Sequence, residues 1–492
     1  MPDEKQDHAP NEEKTPTLPP EEKISQTQHT ITINGEVIQY TATAGTILLK
    51  EEDDETGEKP KASIFYVAYT RDGVEDPSNR PLTFSFNGGP GSSSVWLHLG
   101  LLGPKRVLMD EIGNPLPPPY QLVENEFSLL DKTDLVFIDP VSTGYSRAVP
   151  GEKAKQFHGF EKDIESVGEF IRMYATRNNR WLSPKFLIGE SYGTTRASGL
   201  AGHLQERVGM YLNGIMLVSV VLNFQTIRFF VGNDMPYILF LPTYAATAWF
   251  HKKLSEDQLA RPLDEFLTEV KAFAMGDYTL ALMQGSALDA EQKAAIAEKL
   301  AAYTGLTPEY IEQTNFRLNI FRFTKELRRT ERLTVGRLDS RFTGRDRDAA
   351  GEHFEFDPSY ATIQGTYTAT MNDYLRRELG FETDLPYEIL TYRVHPWSYE
   401  KQQNHYLNVA ETLRKAMSLN PHLKVFVANG YYDLATPYLA TEYTFNHMDL
   451  EPEMMQNISM KYYEAGHMMY VHLASLDDMK THLSEFIDAS IA

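Results

Sequence analysis

The 492-residue chain contains no cysteine. That excludes a disulfide framework, a thiolate metal site and a cysteine nucleophile. Its first 25 residues (MPDEKQDHAPNEEKTPTLPPEEKIS) also lack the basic start and apolar run of an export signal. These two absences predict a cytoplasmic protein, or a secreted or periplasmic one if a signal has been trimmed. Basic residues are outnumbered, 47 to 68, leaving a net charge of −21. Such a field repels phosphate backbones and anionic lipid heads, so neither nucleic acid nor a membrane surface is an expected partner. Long apolar runs are missing too. The longest, Met235 to Phe250, falls short of the roughly 20 residues a membrane span needs and is interrupted by Pro236 and Pro242. No H-E-x-x-H, no clustered His/Asp/Glu and no G-x-x-x-x-G-K-[ST] or G-x-G-x-x-G occurs, so no metal or cofactor is expected.

What is present is a large globular protein. Apolar residues make up 42% and aromatics 12%, enough for a sizeable core. The length fits one large domain carrying an inserted one, or two to three separate domains. Residues 1–27 read as a disordered acidic tail. From His29 to about Tyr69, alternation predicts antiparallel strands with turns at Asn34-Gly35 and near Gly57. Short buried-looking runs follow: PLTFSF before Asn87, DLVFID at 134–139, KFLIG at 185–189 and GIMLVSV at 214–220. Helical patterns lie between them, as from Gly159 to Thr176. This grammar predicts a mainly parallel sheet covered on both faces. From about Gln225 to Ser398 the pattern turns helical, with a capping box at Ser255–Gln258, an N-cap at Thr307-Pro308 and a strong helix over 288–303 stopped by Gly305. Sheet grammar resumes at LKVFVA (423–428) and ISMKYY (458–463). The expected plan is an α/β core of residues 28–224 and 399–492, interrupted by a helical cap over 225–398. The aromatics Tyr237, Phe240 and Tyr244 are expected in that cap's core. The basic segment Arg317 to Arg347 has acidic residues interleaved, and is expected to be solvated or ion-paired.

One constellation carries chemistry. Gly189-Glu190-Ser191-Tyr192-Gly193 follows the strand KFLI and precedes a helix, the setting of a G-x-S-x-G nucleophile elbow in an α/β-hydrolase fold. A serine hydroxyl is a weak nucleophile unless a base and an orienting acid stand behind it. In this fold those follow in the order Asp, then His, at the ends of late strands. Asp433 comes just after LKVFVA, and His467 just after ISMKYY. The oxyanion needs two backbone N–H donors. One is expected from Tyr192, the residue after the nucleophile, and the other from the loop Phe86–Gly91 after PLTFSF.

The blocks FNGGPGSSS, IDPVSTGYS, IGESYG, NGYYDLATP and AGHMMYV, in this order over roughly residues 80–222 and 400–485, resemble the signature blocks of the serine carboxypeptidase family. The resemblance implies an exopeptidase that releases C-terminal residues from peptides through an acyl-enzyme. It gives Gly89 and Tyr192 as the oxyanion donors, and Asn87 and Glu190 as groups that hydrogen-bond the substrate's terminal carboxylate. A Glu in that place must be protonated to donate; ionised, it repels the carboxylate. The chain departs from the family pattern at Ser92, where a Cys is usual, and at Leu101, where counting fourteen residues from Asn87 places a second carboxylate. Loss of that partner predicts peptidase activity reaching closer to neutral pH. It also leaves open an esterase or acyltransferase on the same triad and, with less support, a silent binding scaffold.

Overall fold

The computed structural model describes residues 20–54 and 57–492. Most of the expected tail lies outside these residues, but its end does not. Strand β1 runs Ile24–Ile33, so residues 24–27 are sheet. The segment ISQTQHTITI alternates, and its inward side chains become buried toward Ile31 and Ile33. β1 pairs antiparallel with β2 (Glu36–Asp53), Ile33 opposite Glu36. Asn34 and Gly35, both at positive φ (51° and 80°), form the two-residue turn between them. β2 pairs with β3 (Gly57–Arg71), also antiparallel.

The other strands along the main path of the central sheet are β4 (Leu82–Phe86), β5 (Asp134–Ile138), β6 (Lys185–Ser191), β7 (Gly214–Val220), β8 (Lys424–Gly430) and β9 (Ile458–Tyr463). A two-residue strand, Arg147–Ala148, pairs with β3 off that path. The sheet order is β1-β2-β3-β5-β4-β6-β7-β8-β9. From β5 onward every pairing is parallel. Both faces of this part are covered, which explains its unbroken apolar runs. Phe186, Ile188, Met216, Val218, Phe426 and Ala428 point into one core layer. Leu187, Ile215, Leu217, Val425 and Val427 point into the other. Helices Phe160–Arg177, Tyr192–His203 and Ala410–Leu419 cover the second face. Helices Pro358–Arg377 and Leu473–Ile491 cover the first. This is the α/β-hydrolase fold.

Between β7 and β8 the chain is mostly helical, and the anticipated local signals are in place. Ser255 and Gln258 form a capping box, Thr307 caps the helix Pro308–Gln313, and the helix Ala290–Thr304 ends at Gly305 in the left-handed region. The apolar run forms the helix Met235–Phe250, with Phe240 and Tyr244 buried and Tyr237 packed at the edge of the same cluster. The segment 225–398 splits in its packing, however. Residues between Ile238 and Val335 build a separate core, against which residues from Tyr431 to Tyr443 and Tyr462 also pack. Ile363, Tyr367, Met371, Tyr374 and Leu379 instead belong to the sheet's own first layer. Among the described residues, no helix is long and apolar enough to cross a membrane.

Candidate functional site

β6 ends at Ser191 and a helix begins at Tyr192. Ser191 has φ 59° and ψ −127°, a conformation that costs a residue bearing a Cβ on the order of 1–3 kcal/mol. The turn is made possible by close backbone packing. A Cβ on Gly193 would sit 2.7 Å from the Phe86 carbonyl oxygen, and one on Gly88 would sit 2.4 Å from the Tyr192 nitrogen. The loop after β4 therefore lies directly against the elbow. Gly88, Gly89, Glu190, Ser191 and His467 line one cavity of about 220 Å³, against a wall of Trp96, Tyr360, Ile363 and Met468.

Asp433 follows β8 and is wholly buried. Its Oδ1 accepts from the amides of Ala435 (2.7 Å) and Thr436 (3.0 Å), and its Oδ2 from the Thr436 hydroxyl (2.7 Å). The same Oδ2 takes a hydrogen bond from His467 Nδ1 at 2.8 Å. With Nδ1 donating, Nε2 is left as the acceptor on the far side of the ring. Burial alone would depress the His467 imidazole. The charge and hydrogen bond of Asp433, helped by Glu190, outweigh it and hold the group above its ordinary value. An imidazole so held, beside a strained serine, is equipped for nucleophilic acyl transfer.

The backbone of His467 is pinned from two sides. Its carbonyl accepts from the Ser219 hydroxyl (2.6 Å), and its amide donates to the Leu338 carbonyl (2.6 Å). Leu338 belongs to a segment, 336–341, that ties the two loops together. Leu434 N–H donates to the Arg337 carbonyl, Ser340 N–H to the Tyr432 carbonyl, and Gly466 N–H to Asp339 Oδ2. Asp357, which caps the helix Pro358–Arg377, anchors the segment by accepting from the amides of Arg337 and Leu338. Little in the sequence marks this segment, because apart from the Asp339 carboxylate its work is done by main-chain groups any residue carries.

Glu190 and Asn87 also meet. Asn87 is wholly buried, its Nδ2 donating to Glu190 Oε1 (3.1 Å) and its Oδ1 accepting from the Leu97 amide (3.1 Å). Of the two residues expected to read a carboxylate, Glu190 lines the cavity and Asn87 braces it. A third partner was not anticipated: the Tyr470 hydroxyl donates to Glu190 Oε2. Burial pushes the Glu190 carboxyl up to about 7, against the opposing pull of His467, Tyr470 and Asn87. Leu101 is fully buried within a π-helical turn, His98–Leu102. Its neighbour Gly100 is what abuts Tyr470, since a Cβ there would lie 2.4 Å from the Tyr470 ring and 2.8 Å from the Tyr367 hydroxyl. Tyr470 sits three residues after His467 inside the AGHMMYV block, and that proximity is the signal that could have flagged it. Among the described residues, no group of three His, Asp or Glu side chains is placed to hold a metal.

The profile of the family described as serine carboxypeptidase matches residues 53–478. The pheromone-processing carboxypeptidase KEX1 of Saccharomyces cerevisiae is 33% identical over 156 residues, 30% of this chain and 20% of that protein. Serine carboxypeptidase-like 5 of Arabidopsis thaliana is 28% identical over 138 residues, 28% of this chain and 30% of that one. The alignments thus span between a fifth and a third of those relatives' lengths. The crystal structure of the S. cerevisiae prohormone-processing carboxypeptidase KEX1 superposes with a TM-score of 0.59 at 17% identity, covering 91% of each chain. With that profile running over most of its length, this chain belongs to the serine carboxypeptidase family.

Proposed function

We propose that the protein is a serine-type carboxypeptidase acting on peptides. The observation that carries this reading is the convergence of Ser191, His467 and Glu190 on one cavity, with His467 hydrogen-bonded to the buried Asp433. Ser191 Oγ attacks the last peptide carbonyl while His467 Nε2 takes its proton. Asp433 fixes the ring and stabilises the imidazolium. The amides of Gly89 and Tyr192 receive the oxyanion. Collapse breaks the C–N bond, His467 returns the proton to the departing amine, and water then hydrolyses the acyl-enzyme by the same route. Protonated Glu190, braced by Asn87 and Tyr470, donates to the terminal carboxylate. The insertion supplies one side of the cavity through residues between Arg337 and His395, and in this reading it sets side-chain preference. The cytoplasmic location drawn from the sequence rests on absences and gains no support from family membership.

A second reading, an esterase or acyltransferase, is favoured by one feature. Both Glu190 oxygens accept hydrogen bonds from neutral donors. Once ionised, Glu190 repels a carboxylate and leaves neutral acyl groups as the better fit. N-blocked dipeptides, their C-terminal amides and simple acyl esters, assayed in parallel, separate the two. The carboxypeptidase reading requires free-acid dipeptides to turn over well above the amides. A fluorophosphonate must label Ser191, located by mass spectrometry. Labelling at another serine, or turnover confined to esters, overturns it.

A further inference from the structure

Six of the ten basic residues in segment 317–347 are ion-paired. Arg317 pairs with Asp234, Arg322 with Glu352, Lys325 with Asp346, Arg328 with Glu331, Arg329 with Glu326 and Arg341 with Asp339. Four arginines of the segment have no ion pair among the described residues. Arg332, Arg345 and Arg347 are exposed, as solvated charges are. Arg337 differs: it is half-buried and lines the cavity that holds Ser191 and His467. Its amide and carbonyl are bonded to Asp357 and Leu434, and among the described residues its guanidinium has no hydrogen-bonding partner. It is close enough to act electrostatically on the His467 ring. A cation held in a half-enclosed site without a counter-ion loses solvation that an arriving anion restores.

We propose that Arg337 sets substrate choice by binding an acidic side chain beside the scissile bond, so that peptides with Asp or Glu in one of the last two positions are preferred. This rests on the carboxypeptidase reading, in which the terminal carboxylate goes to Glu190. The guanidinium is then free for a second carboxylate, which its planar fork grips with two parallel hydrogen bonds. His395, also on the cavity wall, offers a second polar group. The apolar wall of Trp96, Tyr360 and Ile363 suits the methylene stem of a glutamate. In a chain of net charge −21 the overall field repels acidic peptides. A local cation is therefore what their recognition demands.

The test compares N-blocked dipeptides carrying Glu, its isostere Gln or Lys at each of the two positions, on wild type, Arg337→Met and Arg337→Glu. A hydrogen-bonded charge pair of this kind is worth about tenfold to a hundredfold in kcat/KM. Wild type should favour Glu over Gln by that factor at one position, Arg337→Met should bring the ratio to about one, and Arg337→Glu should turn the preference to Lys. Absolute rates will also move, since Arg337 acts on His467, but the Glu/Gln ratio cancels that effect. A ratio near one at both positions in wild type, or one that survives Arg337→Met, overturns the proposal. So does a variant that loses only its discrimination between free-acid and amide C-termini, because Arg337 would then be reading the terminal carboxylate. Calorimetric titration of Ser191→Ala with the same peptides reads the ratio as Kd. A wild type that fails to turn these peptides over, while Ser191→Ala binds them with the ratio intact, counts against the carboxypeptidase reading, and loss of the ratio in binding counts against Arg337.

Discussion

Replacing Tyr470 by Phe removes one hydroxyl and leaves the ring packed against Gly100. That hydroxyl donates to Glu190 Oε2 at a site where both residues are almost wholly buried. A hydrogen bond to an ionised group is worth about 1.5–3 kcal/mol, and one between neutral groups about 0.5–1.5. The carboxylate therefore loses about 1–1.5 kcal/mol more than the acid does. At 1.36 kcal/mol per pKa unit, Glu190 should rise by about one unit, from about 7 to about 8. Only the protonated form donates to a substrate carboxylate, so the alkaline limb of kcat/KM for a blocked dipeptide should move up by the same amount. The acid limb belongs to His467, which must be neutral to act as base. Glu190 and His467 titrate in each other's field, so the two limbs describe the pair. Delaying the Glu190 charge withdraws an anion that favours the imidazolium, so the acid limb should stay or shift down, and the profile should widen. An acyl ester without a carboxylate should show no such alkaline limb in either protein. An alkaline limb that stays put or falls in Tyr470→Phe would refute the reasoning.

Two further outcomes follow from the same geometry. Glu190 folds with its carboxyl raised from 4.5 to about 7, so ionisation opposes folding: the penalty is absent below pH 4.5, grows as pH rises to about 7, and then stays constant at about 3 kcal/mol. Glu190→Gln should therefore gain stability over wild type by up to that amount between pH 4.5 and 8.5 in urea unfolding, and a difference that does not change with pH would count against burial as the cause. Gly88→Ala drives a methyl group into the Tyr192 amide and the Glu190 carbonyl oxygen, 2.4 and 2.8 Å away. It should lower kcat by about 10²–10³, the usual cost of losing one oxyanion donor, with KM less affected; unchanged kcat would detach this loop from the chemistry.

The positions proposed for the triad each stand where a strand ends, and the fully covered strands announce themselves as unbroken apolar runs. Ser191 was marked by its flanking glycines, and Asp433 and His467 by their order and their place just after a strand. What the sequence hid depends on contacts across great separations or on backbone groups. Tyr470 reaches Glu190 across 280 positions. Counting from Asn87 to Leu101 assumes regular spacing, yet the turn His98–Leu102 is π-helical, and Gly100 is the residue that meets Tyr470. The split within 225–398 was hidden as well, since an amphipathic helix such as Pro358–Arg377 does not say which core its apolar face will join. The start of β1 at Ile24 was missed because its first residues, ISQTQ, are polar enough to pass for tail.

The segment 336–341 bears on how this protein could change over evolution or in the laboratory. An inserted subdomain is ordinarily a tradeable part, replaced wholesale to obtain a new preference. Here that trade is constrained, because residues 337–340 of the insertion brace the loops that carry Asp433 and His467. A chimera that exchanges the whole insertion would inherit a loosened triad, whereas one grafted between Ile238 and Val335 would leave the brace in place. Within the brace, the bonds at position 337 come from its amide and carbonyl. Its side chain is accordingly free to vary while the scaffold around it is not, which makes that position a natural first site for redirecting selectivity.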